Sequence, residues 1–220
     1  MRILFLTHSF NSLAQRLYVE LAERGHELSI EFDINDQVAI EAVALFGPDL
    51  ILAPFLKRRI PEAVWRERVC LVLHPGIVGD RGPSALDWAI QRGEAQWGVT
   101  VLQANDVMDG GDIWAARGFP MRPGRKSSLY RNEVTEAATE AVLEAVDRFA
   151  SGGFTPQPLD YGRPEVYGRE HPVMRQEHRR IDWQQDRTET VLAKIRAADS
   201  VPGVLDEVAG LPAYLYNGFR

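Results

Sequence analysis

Two side chains in this 220-residue sequence have types and neighbours suited to chemistry. His74 stands in His74-Pro75-Gly76, and Asp109 follows 35 residues later in Met108-Asp109-Gly110-Gly111-Asp112. An imidazole beside a carboxylate can accept and return a proton near neutral pH, as general acid–base catalysis requires. Each residue also has a plain structural explanation: a His before Pro can simply close a strand, and an Asp among glycines is a common turn former.

The elements that would position the pair favour the chemical reading. Val69-Cys70-Leu71-Val72-Leu73 reads as a buried strand ending at His74, and Gly98-Val99-Thr100-Val101-Leu102 as a second strand ahead of Asp109. In open α/β sheets the C-terminal ends of strands face the crevice that holds the ligand. Further strands are expected at Ile3–Leu6, Glu27–Phe32 and Asp49–Ala53. Val99–Gln103 and Asp112–Phe119 should form a hairpin across Asp109. Helices are expected over Ser12–Arg24, Asp36–Phe46, Ser84–Arg92, Ser128–Ala150 (the longest) and Thr188–Ala198, with a helical turn over Pro61–Arg68. The alternation predicts an α/β fold with an open, mostly parallel Rossmann-like sheet. After Ser151-Gly152-Gly153, the prolines at 156, 158, 164 and 172 predict an irregular surface segment, and after Pro202-Gly203 a short tail.

Composition narrows the function. Thirty-one acidic against 25 basic residues give a net charge of −6, unlike a general nucleic-acid binder. The one cysteine, Cys70, sits in an apolar run and reads as an inert buried thiol. No apolar stretch approaches the ~20 residues that span a bilayer. The opening Met1–Leu6 reads as a strand rather than a signal peptide, so a cytoplasmic location is expected. The first strand–helix turn, 7–12, lacks G-x-G-x-x-G, and there is no P-loop, H-E-x-x-H or cysteine pair. Nicotinamide dinucleotides, nucleotide triphosphates and zinc are therefore not indicated, and no metal is expected.

Smaller signals remain. Lys57-Arg58-Arg59 is a basic cluster that could meet an anionic tail or only face solvent. Arg81 and Gly82 lie in the Gly79–Pro83 loop, where glycine lets backbone approach a ligand closely. His8, Ser9 and Asn11 fit a helix-capping neighbourhood, and His171 and His178 fit a surface segment.

The text between His74 and Asp109 carries a resemblance. Gly79-Asp80-Arg81-Gly82-Pro83-Ser84-Ala85-Leu86-Asp87-Trp88-Ala89-Ile90, the strand Trp97-Gly98-Val99-Thr100 and the Asp109 turn resemble the folate-dependent formyltransferases. The similarity continues through Arg179-Arg180-Ile181-Asp182-Trp183 and Ile195-Arg196-Ala197, so it covers nearly the whole chain. The wording is most similar to the N-terminal formyltransferase domain of HypX-type hydrogenase-maturation factors. One departure stands out: where the wider family places a catalytic Asn, two residues before the His, this chain has Val72.

The resemblance implies formyl transfer from 10-formyltetrahydrofolate to an acceptor, coenzyme A in the HypX-type branch, as a step toward a carbon monoxide ligand. His74 would then stabilise an oxyanion or shuttle a proton, and Asp109 would orient His74 and handle the acceptor's proton. Phe55, Leu56 and Lys57 would hold the pteridine of the folate through main-chain groups, with Arg81, Gly82 and Val72 also facing substrate. Val72 cannot donate a hydrogen bond, and losing one oxyanion donor costs ~10²–10³ in rate. Ser84 or nearby main-chain N–H groups are candidate replacements; alternatively, a thiol acceptor needs less help. Residues 1–180 would be the catalytic domain and 181–220 a helix and tail packing on it or leading to a further domain, in the family an enoyl-CoA hydratase-like one. Two other readings stay open: a formyltetrahydrofolate hydrolase, and a folate-binding domain that has lost catalysis.

Overall fold

A computed structural model describes residues 1–199 and 202–219. Its centre is a six-stranded sheet built from β1 (Arg2–Thr7), β2 (Glu27–Phe32), β3 (Leu50–Ala53), β4 (Cys70–His74), β5 (Gln96–Gln103) and β6 (Ile113–Pro120), in the order β2-β1-β3-β4-β5-β6. β2, β1, β3 and β4 pair in parallel; β5 is antiparallel to both β4 and β6, so it alone runs against the rest. The central strands are apolar on both faces because helices cover both, as parallel sheets require. In β1, Ile3 and Phe5 point into one core and Leu4 and Leu6 into another, alternating with the pleat.

The larger core lies under α1 (Ser12–Glu23) and α6 (Thr135–Ser151). Leu13, Leu17 and Leu21 recur at helical spacing on α1, and Ala137, Ala138, Ala141, Val142 and Ala145 on α6; all are buried. Alanine there brings α6 close to β5 and β6. The smaller core is roofed by α2 (Asp36–Phe46) and the single turn α3 (Glu62–Trp65). Asn11 and Asn35 cap α1 and α2 through side-chain oxygens, and Gly47 closes α2 in the left-handed conformation that glycine adopts without strain.

The structure agrees with the expected sheet and with the β5–β6 hairpin, and differs at two places. The expected longest helix is composite: α5 (Lys126–Leu129) leads through a π-helical turn at Tyr130–Val134 into α6. Thr135 and Thr139 donate their hydroxyls to the carbonyls of Tyr130 and Thr135, adding side-chain bonds at and beyond the turn. The expected short tail is instead an ordered hairpin, β7 (Val204–Val208) and β8 (Leu211–Leu215), after α7 (Gln176–Arg179) and α8 (Thr188–Ala197). It turns on Ala209 and Gly210, both with positive φ, and Ile181, Ile195, Ala198 and Val204 form its own small core. α8 packs along α4 (Ala85–Arg92), which ties the C-terminal segment to the sheet layer.

Candidate active site

A cavity of about 730 Å³ opens at the C-terminal ends of β3 and β4, within the range of small-molecule sites. Its walls are the 54–60 loop after β3, the 104–111 turn of the β5–β6 hairpin, the start of α4, and the α5–π segment. The strand order reverses beside it, since β1 lies between β2 and β3; ligands of doubly wound sheets bind at such a point. The 54–60 loop is fixed from below. The amide of His8 and the hydroxyl of Thr7 both donate to the Phe55 carbonyl, and Asp33 accepts from the Lys57 amide. His8 itself pairs with Asp33 at 3.0 Å, which accounts for it structurally.

His74 ends β4 on the cavity floor and is buried. Its Nδ1 lies 3.5 Å from Oδ2 of Asp109, so the hairpin turn brings the two residues together. Asp109 holds a left-handed φ of 53°, which Asp and Asn tolerate better than other side chains. Its Oδ2 accepts the amide hydrogen of Gly82 at 3.1 Å, so the carboxylate also joins the hairpin to the loop before α4.

The opposite ring nitrogen of His74 has a partner that the sequence reading passed over. Nε2 lies 2.8 Å from Oδ1 of Asp80, whose side chain is 1% exposed. Gly76 makes this contact possible: a Cβ there would stand 2.4 Å from His74 Nε2 and 2.6 Å from the Asp80 oxygen. Thr100 and Trp97 on β5 donate to the carbonyls of Gly76 and Pro75 and hold the loop in place.

Phe55, Leu56, Lys57, Val72, Gly82 and Ser84 all line the cavity. Val72 presents an apolar wall beside His74, and its strand neighbours are Ala53 and Leu102. Ser84 precedes α4, and its Oγ accepts the amide hydrogen of Met174, leaving its own proton free to be donated. Arg81 is placed differently from the expectation. Its guanidinium pairs with Glu170 at 2.8 Å and lies over the Tyr161 ring, outside the cavity lining. The backbone around it, rather than its charge, is what reaches the site.

Further lining groups come from segments without a telling motif. Lys126, Tyr130 and Arg131 face the cavity from α5 and the π turn. Lys126 and the buried Arg179 share Oδ1 of Asp87, at 3.1 and 2.9 Å, binding α5 and α7 to α4. Burial raises the Tyr130 phenol above its ordinary pKa, and burial pushes the Cys70 thiol up to about 12. Among the described residues no cluster of His, Cys, Asp and Glu could hold a metal ion, and no helix is long and apolar enough to cross a membrane.

Residues 30–146, more than half of the chain, match the family model for formyl transferase. The chain belongs to the formyl transferase family. Within it, the chain is 58% identical over 208 residues to the hydrogenase maturation factor HoxX of Bradyrhizobium diazoefficiens, covering 94% of this chain and 36% of HoxX. A crystal structure of HypX from Aquifex aeolicus in complex with tetrahydrofolic acid superposes with a TM-score of 0.92 at 54% identity, covering 99% of this chain and 37% of HypX. A methionyl-tRNA formyltransferase from Clostridium thermocellum shares the fold at a TM-score of 0.73 and 21% identity, over 95% and 88% of the two chains. The chain thus spans somewhat more than a third of the length of HoxX and HypX.

Proposed function

We propose that this chain takes the formyl group of 10-formyltetrahydrofolate to an acceptor, coenzyme A, as a step of hydrogenase maturation that supplies a carbon monoxide ligand. The observation that carries this reading is the His74–Asp109 approach of 3.5 Å on the floor of the cavity. The 58% identity to HoxX and the tetrahydrofolate complex of HypX support the donor and the setting. In the reaction, the acceptor sulfur bonds to the formyl carbon as its proton passes toward His74 and Asp109. The bond from that carbon to the folate nitrogen then breaks, and the nitrogen takes a proton back. Val72 offers no hydrogen bond to the oxygen that gains charge; the Ser84 hydroxyl lines the same cavity and is the donor we assign there.

The pteridine would sit against Phe55, Leu56 and Lys57, whose backbone is already immobilised by β1 and β2, so little ordering entropy is lost on binding. Gly82 brings backbone to the same wall, while Arg81 acts from outside through its loop. We assign catalysis to residues 1–180 and treat 181–220 as a buttress on α4, with the remaining steps belonging to a further domain of a longer, cytoplasmic protein.

The test combines binding and turnover on the 220-residue chain. Saturating tetrahydrofolate or its 10-formyl form should raise the melting temperature, corresponding to ~2.7 kcal/mol at a hundredfold excess over Kd. Consumption of 10-formyltetrahydrofolate should depend on coenzyme A. Formate release without coenzyme A would identify a hydrolase instead, and binding without turnover a folate-binding domain.

A further inference from the structure

We propose that Asp80, rather than Asp109, is the residue that orients His74: it holds a proton on Nε2 and so makes Nδ1 the nitrogen that exchanges protons with substrate and Asp109. The inference rests on His74 being the reacting imidazole of the proposed function.

The distances divide the labour between the two carboxylates. Asp80 meets Nε2 at hydrogen-bond length, 2.8 Å, whereas Asp109 stands 3.5 Å from Nδ1 and spends the same oxygen on the Gly82 amide. A carboxylate accepts only, so Nε2 carries the proton of that bond whether the ring is neutral or charged. Asp80 is buried and absent from the cavity lining, whereas Asp109 lines the cavity. An acidic residue that grips one imidazole nitrogen from behind and leaves the other to react is the arrangement by which hydrolytic triads fix a tautomer.

The chain also invests in holding Asp80. Its amide donates to Ile77 in a tight turn, and Gly168 of the irregular segment packs so close that a Cβ there would stand 2.0 Å from the Asp80 nitrogen. The Gly168 amide donates to Val78, the Tyr161 hydroxyl to the Gly79 carbonyl, and the Arg81 amide to Arg169. This segment straps the turn from outside and screens it from water. Oδ2 of Asp80 is buried with no hydrogen-bond partner among the described residues, and His171 Nε2 lies 3.8 Å from it.

The test is Asp80→Asn, read by turnover and by nitrogen-detected NMR of the His74 ring. In the wild-type chain the neutral ring should show its proton on Nε2. In Asp80→Asn the amide group can face Nε2 as a donor, the ring proton moves to Nδ1, and kcat should fall on the order of 10³-fold or more while KM for 10-formyltetrahydrofolate and tetrahydrofolate affinity stay put. A wild-type ring protonated on Nδ1 overturns the proposal, as does an Asp80→Asn chain with unchanged tautomer or unchanged kcat. If the wild type turns nothing over, the proposed function fails on its own, and the ring spectrum still decides the role of Asp80. The wild-type spectrum also decides it should the variant not fold.

Discussion

Asp109 accepts the amide hydrogen of Gly82, so one side chain spans from the β5–β6 hairpin to the loop that starts α4. The bond fixes the distance between two walls of the cavity, and the same oxygen faces His74. Asp109 therefore makes a structural contact beside the chemical role proposed for it, and its variants must separate the two. Asp109→Asn keeps an acceptor for Gly82 and tolerates the left-handed backbone, whereas Asp109→Ala would lose the acceptor and add strain of ~1–2 kcal/mol. We expect Asp109→Asn to stay folded, bind tetrahydrofolate and lose formyl transfer by ~10²–10⁴. His74→Ala should be similar, and the double variant little worse than either single one, because the two act as a unit. Steady-state rates on all three chains check this; additive losses would separate the pair.

Val72→Asn restores a hydrogen-bond donor beside His74. If oxyanion stabilisation limits the rate, formate release in the absence of coenzyme A should rise, by up to ~10². The wall it replaces is half-buried, so a stability loss of about 1–2 kcal/mol should accompany the gain. Formate release and urea unfolding measure the two effects separately, and an unchanged rate would move the limiting step elsewhere.

Arg81→Ala should leave folate affinity nearly unchanged. The ion pair it removes is with Glu170, whose side chain is 71% exposed, and such pairs contribute at most about 1 kcal/mol. Calorimetric titration with tetrahydrofolate tests this: a tenfold weaker Kd would bring the guanidinium back to the ligand.

Acid should weaken the fold through His26 and His171. Burial holds both below the ordinary histidine pKa, with the N-terminal ammonium adding to the effect at His26 and Arg92 at His171. The unfolded chain therefore takes up protons below about pH 6.5 that the folded chain refuses, and stability falls as pH drops through that value. The opposite holds at the alkaline end. With Cys70 at about 12 in the fold and an ordinary 9.0 when unfolded, stability falls as pH rises from 9 toward 12. Melting temperatures across pH 5 to 11 should trace a plateau with both flanks, and Cys70→Ser should soften only the alkaline one.

The parts of the site readable from sequence were those written in local periodicity. β4 and β5 are apolar runs, and the glycines around Asp109 mark its turn, so the placement of His74 and Asp109 at neighbouring strand ends follows from short stretches. Asp80 was hidden for a physical reason. Gly79-Asp80-Arg81-Gly82 reads as a glycine-bounded loop in which nothing local marks Asp80, and the strap at 161–173, some 80 residues later and rich in proline and glycine, packs over it. Arg81 drew attention through the glycines on either side of it, and the same strap supplies the Glu170 and Tyr161 that engage its guanidinium outside the cavity. The β7–β8 hairpin escaped notice because its turn uses Ala209 with positive φ, where Asn or Asp would have advertised it.

The π turn at Tyr130–Val134 acts as a phase shifter. One additional residue in a helical turn rotates everything beyond it by about 100°. Lys126, ahead of the shift, and Tyr130 and Arg131, at its start, line the cavity; beyond it, the alanine face of α6 packs on the sheet. Deleting one residue from 130–134 would therefore leave helix content almost intact and still divorce the ligand-facing groups from the core that anchors them, so the register of this one turn sets the shape of the cavity wall.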